Sequence, residues 1–160
     1  MTHLQARIDN IITLVPDALK ALHSLKTSAE RIGLPPAMLK LVELRASQIN
    51  GCSICVDMHS RELKKMNEPD ERIFGVAAWR ETPYFDDKER AALALTEAVT
   101  RLSDRPDPVP DDVWNEAARH YSDRELAALV LTIANINVWN RLNVATRQIA
   151  GAWTVSVKTY

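Results

Sequence analysis

Residues 43–59 read ELRASQINGCSICVDMH, and this stretch decides the fold. The residues before Asn50 have the apolar spacing of a helix. Asn50 and Gly51 then interrupt it, because both residue types accept the backbone angles at which helices end. A new helix is expected to begin at Cys52. The sequence therefore predicts two consecutive helices, over residues 37–48 and 52–66, with only a short break between them.

The second of these helices carries both cysteines of the chain, Cys52 and Cys55, followed by His59. Helix residues three and four positions apart share a face, so the two sulfurs and the imidazole can meet. The same spacing brings two Cα atoms within disulfide range. A helix N-terminus also favours the thiolate, which is the reactive form of cysteine. The pattern indicates a thiol redox centre in which His59 accepts or relays the proton of Cys55.

Three other interpretations of the cysteine pair remain open. Two cysteines on one helix face can be small core residues. Cys52, Cys55 and His59 can also bind zinc, although a structural zinc needs a fourth ligand and no other histidine has an obvious claim to that position. A thioredoxin-like motif requires a strand before the helix, whereas here a helix precedes the cysteines.

The composition is ordinary for a soluble globular protein, and the absence of a targeting or membrane segment predicts a location in the cytoplasm. The chain has 160 residues, 46% of them hydrophobic and 26% charged, with a formal net charge of −1. A charge so close to zero gives no field that would attract nucleic acid. The first ten residues lack the apolar segment of a signal peptide, and the longest apolar run, residues 126–131, is too short to cross a membrane. We expect one domain over residues 1–160 and no membrane or nucleic-acid partner.

The rest of the chain also has helical periods, and no segment alternates convincingly as a strand. The predicted architecture is therefore all-α. Apart from the two helices at the cysteine motif, helices are expected over residues 4–25 (with a break at Pro16), 70–78, 86–102, 111–121 and 123–149. Residues 153–157 are predicted to form an extended tail.

The last of these helices has the most distinctive pattern. Ser122 and Glu125 form a capping box at its start. Its residues are apolar nearly all round through Ile136, so we expect residues 123–149 to be the central buried helix, with Trp139 in the core. Four asparagines interrupt the apolar surface and need hydrogen-bond partners where they are buried: Asn135, Asn137, Asn140 and Asn143.

Residues 43–52, followed by Cys55 and His59, closely resemble the signature of the alkylhydroperoxidase D-like proteins of the carboxymuconolactone decarboxylase superfamily. Residues 133–142, IANINVWNRL, are similar to the closing helix of its small single-domain members. The resemblance covers about a quarter of the chain directly, and the order of the helices extends it across most of the rest.

The resemblance implies an all-helical bundle subunit that assembles as a homotrimer or homohexamer. It implies a thiol-dependent peroxidase that reduces organic hydroperoxides and hydrogen peroxide, without a cofactor and with a thiol/disulfide partner as the source of electrons. By motif position, Cys55 is the cysteine that attacks the peroxide and Cys52 is the resolving cysteine that also meets the reducing partner. His59 belongs to the proton relay.

The chain departs from the family pattern at two positions. The best-known members have a histidine at the position of Ile54 and a relay glutamate at the position of Lys40. Glu43 lies three residues after Lys40 and can reach the same helix face, so it is the candidate relay carboxylate. These departures leave an alternative function, a disulfide carrier or redox-sensing module with little intrinsic peroxidase activity.

Overall fold

The structure is a computed structural model that describes residues 4–9 and 11–151. Within these ranges the chain is all-α, as predicted, and contains no strand. The α-helices are α1 (Ile11–Leu14), α2 (Pro16–Glu30), α3 (Pro36–Asn50), α4 (Ser53–Lys65), α5 (Asp70–Gly75), α6 (Asp87–Thr100), α7 (Asp111–His120) and α8 (Asp123–Ala145). Short 3₁₀ segments follow α5 (Val76–Glu81) and α6 (Leu102–Asp104). The tail predicted at 153–157 lies outside the described residues.

Helix α3 is the central element of the bundle. One of its sides, with Leu39 and Val42, packs into an apolar cluster shared with α6, α7 and α8. The other side, with Leu41 and Leu44, packs into a second cluster shared with α4, α5 and α6. Burial of a leucine-sized side chain contributes about 2 kcal/mol, so these two clusters fix the position of α3 between the surrounding helices. The cysteine helix α4 packs directly against it.

Helix α8 is less buried than its sequence predicts. Leu129 and Ile133 are fully buried, but Leu131 and Val138 remain 39% and 40% exposed on its outer face. The expectation of a centrally buried last helix is therefore wrong for the single chain, because α3 takes that position. The helix also ends at Ala145 rather than near residue 149, since Arg147 adopts left-handed backbone angles (φ 56°). No helix in the described ranges is long and apolar enough to cross a membrane.

The turn between α3 and α4 consists of Gly51 and Cys52. Gly51 has φ 67° and ψ 30°, the left-handed conformation that closes a helix without steric strain only for glycine. Its N–H donates to the carbonyl of Gln48, and the Cys52 N–H donates to the carbonyl of Ser47 at 3.0 Å. This is a Schellman closure, and α4 begins immediately after it. The predicted break at residues 50–51 is confirmed.

The predicted capping box at the start of α8 is also confirmed. The Ser122 hydroxyl accepts a hydrogen bond from the Glu125 N–H, and the Glu125 carboxylate accepts one from the Ser122 N–H. Two of the unpaired donors at the start of the helix are satisfied in this way. The start of α8 is thus set by local sequence, whereas its burial depends on the neighbouring helices.

Candidate active site

The α3–α4 turn brings the two cysteines together at the start of α4. Cys52 is the N-cap residue, and Cys55 lies in the first turn of the helix. Their sulfurs form a disulfide, with the two Cα atoms 5.3 Å apart. Each residue is only 1% exposed. The predicted meeting of the two sulfurs is therefore present, at the end of the helix where a thiolate is favoured.

His59 follows one turn after Cys55 and is buried. Its Nδ1 atom lies 2.9 Å from Oε2 of Glu62 and 3.4 Å from Oε2 of Glu43. Because both neighbours are carboxylates, Nδ1 is the ring nitrogen that carries a proton in neutral imidazole. The other nitrogen, Nε2, is buried and has no hydrogen-bond partner among the described residues. Its lone pair is therefore not engaged by another described group.

Lys40 completes a buried cluster of charges on the far side of His59. Its Nζ atom lies 2.6 Å from Oε2 of Glu43 and 3.0 Å from Oε2 of Glu62. Glu43 thus reaches His59 from α3, as its spacing predicts. Lys40, Glu43 and Glu62 together carry one unbalanced negative charge, so a proton on His59 would make the cluster neutral.

The pKa values in this cluster shift in the directions that ion pairing requires. Burial raises the pKa of Glu62, but the hydrogen bond from His59 and the positive charge of Lys40 outweigh burial and lower it to about 2. Burial lowers the pKa of Lys40, yet the negative charge and hydrogen bond of Glu43 outweigh that effect and raise it above its ordinary value. Both groups stay charged at neutral pH.

The same residues could be considered as metal ligands. One atom from each of Glu43, His59 and Glu62 lies within 4.8 Å of the others. The ammonium group of Lys40, however, contacts both carboxylates and occupies the position that a cation would take. The zinc interpretation of Cys52, Cys55 and His59 fits no better, because the sulfurs are joined to each other and a disulfide sulfur is not a thiolate ligand.

Asn143 contacts the cysteine pair from α8. Its Nδ2 atom donates a hydrogen bond to Sγ of Cys55 at 3.4 Å. The sequence marks Asn143 only as a polar residue in need of a partner, and the partner is 88 residues away along the chain. A hydrogen bond donated to sulfur favours the thiolate over the thiol.

A cavity of about 400 Å³ opens beside Cys55 and His59. Its apolar wall consists of Ile11, Leu19, Ile54, Met58, Ile136 and Trp139. Ile54, one of the two departures from the family pattern, thus adds to the apolar wall. The expectation that Trp139 belongs to the core is wrong: it is half-buried and faces this cavity, with its ring centroid 6.3 Å from that of His23. Among the tryptophans that the structure describes, the one in the core is Trp79, which is 5% exposed.

Cys52 lines a second, neighbouring depression that faces the start of the described chain. Arg7, Ser53 and Arg147 also line it. The Arg7 N–H donates to the carbonyl of Thr146 at 2.8 Å, which holds the segment before α1 against the end of α8. The two cysteines of one disulfide therefore line different spaces.

Two residues of this site were not singled out from the sequence. Glu62 had a usable signal, because it lies three residues after His59 on the same helix, where side chains meet. Asn143 had none beyond being an asparagine on an apolar helix, because its contact depends on how α8 packs on α4. The predicted set of Cys52, Cys55, His59 and Glu43 does come together in space.

Comparison with known proteins places this site in a family. The model of the carboxymuconolactone decarboxylase family matches residues 16–98, about half of the chain, including α3 and α4. The chain is 33% identical over 132 residues to the uncharacterized protein YdfG of Bacillus subtilis, covering 82% of this chain and 88% of that protein. It is also 33% identical over 116 residues to the uncharacterized protein YnjA of Escherichia coli, covering 72% of this chain and 62% of YnjA.

Solved structures have the same fold. A protein of unknown function from Agrobacterium tumefaciens, named as a candidate antioxidant defence protein AhpD, superposes with a TM-score of 0.86 at 35% identity over 92% of this chain and 99% of its own. The debrominase Bmp8 has a TM-score of 0.77 at 21% identity, over 92% and 78% of the two chains, and shares the fold alone. On the matched family model and these relatives, the chain belongs to the carboxymuconolactone decarboxylase family, among its alkylhydroperoxidase D-like members.

Proposed function

We propose that the protein is a thiol-dependent peroxidase that reduces organic hydroperoxides and hydrogen peroxide by a dithiol–disulfide cycle of Cys52 and Cys55. The observation that carries this proposal is the position of Cys55. It borders a largely apolar cavity that His59 also lines, and the Nε2 atom of His59 has no hydrogen-bond partner among the described residues. A redox-active sulfur, a proton acceptor and space for a substrate are thereby combined in one place.

In the reduced enzyme, Cys55 is the attacking thiol. The N-terminus of α4 and the hydrogen bond from Asn143 both favour its thiolate. The free Nε2 atom of His59 receives the thiol proton, and the imidazolium that forms is stabilised by the carboxylates of Glu43 and Glu62. Lys40 pairs with both carboxylates and holds them in place.

The thiolate of Cys55 then attacks the terminal oxygen of the hydroperoxide. The S–O bond forms as the O–O bond breaks, so the sulfur is oxidised to sulfenic acid and the peroxide is reduced to an alkoxide. The alkoxide takes the proton from His59 and leaves as an alcohol. With hydrogen peroxide as substrate, the product of this step is water.

Cys52 completes the cycle as the resolving cysteine. Its thiol attacks the sulfenic sulfur, which forms the disulfide and releases water. An external dithiol then supplies two electrons and two protons, and it attacks Cys52 from the depression lined by Arg7 and Arg147. The peroxide and the reductant would therefore approach the cysteine pair from different sides.

The disulfide carrier is the rival function, and the cavity beside Cys55 argues against it. The burial of the sulfurs does not separate the two functions, because a carrier and the proposed peroxidase both need an external dithiol to attack the disulfide. A cavity of about 400 Å³ at Cys55, however, has no role in a carrier.

We also propose that the subunit assembles as a homotrimer or homohexamer. The exposed apolar residues Leu131 and Val138 on the outer face of α8 support association, because burying such residues in a subunit contact is favourable. Light scattering at micromolar concentration tests this proposal, and a monomeric mass would contradict it.

The decisive experiment follows thiol loss when the fully reduced protein meets cumene hydroperoxide, by thiol titration and intact mass. The wild type is expected to lose two thiols per chain rapidly. Cys55→Ser should lose its remaining thiol no faster than free cysteine does. Cys52→Ser should accumulate a sulfenic acid at Cys55, seen as a mass increase of one oxygen and trapped by dimedone.

Other results would favour the rival or end the proposal. A carrier would react slowly with peroxide in all three proteins and would lose exchange with a dithiol protein most strongly in Cys52→Ser. Wild-type thiols that persist as long as free cysteine would mean that the pair is not tuned for peroxide. Either outcome would contradict the peroxidase assignment.

A further inference from the structure

The Nδ1 atom of His59 faces two carboxylate oxygens that one buried lysine also contacts. Oε2 of Glu62 lies 2.9 Å from Nδ1, and Oε2 of Glu43 lies 3.4 Å from it. The Nζ atom of Lys40 lies 3.0 and 2.6 Å from the same two oxygens. The side chains of His59, Glu43 and Lys40 are 3%, 6% and 8% exposed. Because so little water reaches them, these charges interact more strongly than charges at a surface do.

The charges around the ring come close to balance only because Lys40 is present. Glu43 and Glu62 contribute two negative charges and Lys40 contributes one positive charge, so one negative charge remains beside the ring. A neighbouring negative charge favours the protonated form of histidine, and a neighbouring positive charge disfavours it. Without Lys40, the ring would face two unbalanced carboxylates and would hold its proton more strongly.

The other ionisable groups near His59 do not replace Lys40. Helix α4 packs against α3, α5 and α8. The described residues of α8 that line the cavity are uncharged, and none of the residues of α5 lines it. Three further ionisable residues line the cavity from the segment before α1 and from α2: Asp9, His23 and Lys26. The described ion pairs of the His59 ring do not include them, and Glu30, at 3.8 Å, offsets the charge of Lys26.

We infer that Lys40 is a positioning residue that controls the charge state of His59. By offsetting one of the two carboxylates, Lys40 allows the ring to be neutral before the reaction, so that the ring can accept the proton of the Cys55 thiol. The second carboxylate then stabilises the imidazolium that forms. The inference rests on the proposed peroxidase function and adds a role for the lysine that departs from the family pattern.

The first test follows the titration of His59 without turnover, by NMR of the histidine ring protons. The disulfide form is used, because its cysteines do not titrate, and His59→Gln identifies the His59 signal by its absence. Lys40→Met removes the positive charge and should raise the pH midpoint of this titration by about one unit. Glu62→Gln removes one negative charge and should lower the midpoint. The double variant restores the net charge of the group, so its midpoint should return close to that of the wild type.

Further variants test whether the charge of Lys40 is responsible. Lys40→Arg keeps the charge and should keep the wild-type midpoint. Lys88→Met is the matched control and should also keep it, because Lys88 pairs with Glu125 at 3.6 Å and does not line the cavity. If Lys40→Met alone does not fold, Glu62→Gln and the double variant still differ by this one substitution. The double variant should then have the higher midpoint of the two.

The second test measures how fast the reduced proteins lose thiols to cumene hydroperoxide as the pH is raised from 5 to 9. The rate should rise as His59 becomes neutral, and in Lys40→Met this rise should be displaced by about one unit to higher pH. On the acid side of the rise, the variant should therefore be about tenfold slower than the wild type, whereas the two rates should converge at alkaline pH. A loss of packing alone would lower the rate at every pH.

The outcomes separate this inference from the proposed function. If the midpoint of His59 is the same in Lys40→Met as in the wild type, the inference is wrong, whether or not peroxide is reduced. It is also wrong if Lys40→Met and Glu62→Gln shift the midpoint in the same direction. If the midpoints shift as expected but the wild type reduces no peroxide, the control of His59 by Lys40 stands and the peroxidase function fails.

Discussion

Two carboxylates are buried on opposite sides of α3, and they differ in whether all the polar atoms around them have hydrogen-bond partners. Glu97 of α6 accepts hydrogen bonds from Arg45 and Trp79 at 2.8 and 2.9 Å and from Arg80, so its oxygens are fully engaged. Glu43 binds Lys40 and lies beside His59, whose Nε2 atom has no hydrogen-bond partner among the described residues. A buried charge alone does not indicate function. A buried charge network that ends at an unpaired atom of a cavity-lining residue does.

The Glu97 cluster serves the fold. Burial raises the pKa of Glu97, but the hydrogen bonds from Arg80, Trp79 and Arg45 outweigh burial and lower it. The carboxylate therefore stays charged and joins α6 to α3 and to the 3₁₀ segment Val76–Glu81. This comparison predicts that changes on one side of α3 alter reactivity, whereas changes on the other side alter stability.

The largest effect is expected from His59→Gln. Loss of the group that accepts and returns the proton should lower the rate of peroxide reduction by about 100-fold or more. The free energy of unfolding should change by only about 1 kcal/mol, because glutamine can still donate a hydrogen bond to the carboxylates. Stopped-flow kinetics with cumene hydroperoxide and urea denaturation measure the two quantities.

His120→Gln is the matched control for that variant. His120 lies at the end of α7, where its Nε2 atom is 3.3 Å from Glu116, and it does not line the cavity. Its replacement should leave the rate of peroxide reduction unchanged. A rate for His59→Gln within fivefold of the wild type would contradict the relay.

The next effect is on stability, from Glu97→Ala. Removing this carboxylate leaves the Trp79 N–H buried without a partner and Arg45 without its counter-ion, so the free energy of unfolding should fall by about 3 kcal/mol. The rate of peroxide reduction per folded molecule should not change. Urea denaturation and peroxide kinetics on the same samples test both statements.

Arg80→Gln sharpens the same prediction. The Arg80 side chain is 56% exposed, and its pairing with Glu97 should contribute only about 0.5 kcal/mol because water screens it. If Arg80→Gln lowers the free energy of unfolding as much as Glu97→Ala does, the contribution of this cluster to stability does not depend on burial.

The smallest effect concerns pH. The pKa of Glu62 is lowered to about 2 in the folded protein, from its ordinary value of 4.5. A lowered pKa stabilises the fold above the unfolded value, and this contribution is lost as the pH falls from about 4.5 toward 2. The wild type should therefore lose more stability over this range than Glu62→Gln does, by about 1 kcal/mol after allowance for partial exposure. The free energy of unfolding is measured by urea denaturation at pH 2–6. If it changes equally with pH in both proteins, the pairing of Glu62 with Lys40 and His59 is contradicted.

The sequence was sufficient for features that depend on local spacing. The start of α8 at Ser122, the break at Gly51 and the shared face of Cys55 and His59 all follow from residues within a few positions of one another. The position of Glu43 beside His59 could also be predicted, because Glu43 lies on the face of α3 that packs against α4.

The sequence was insufficient where two distant helices must be placed relative to each other. Asn143 contacts Cys55 across 88 residues, and Trp139 lines the cavity rather than the core. Both depend on the rotation of α8 about its axis. An apolar helix of uniform composition does not specify that rotation, because its apolar residues do not mark a single face.

The turn at Gly51 fixes the number of residues between α3 and α4. Because an α-helix rotates by about 100° per residue, one residue inserted between Asn50 and Ser53 would turn the face of α4 away from α3 by roughly that angle. Cys55 and His59 would then leave the cavity together, even though α4 itself remained a good helix. The number of residues in the turn therefore determines how α4 is rotated about its axis, and with it the direction in which Cys55 and His59 point. We expect natural insertions in this subunit to lie in other loops.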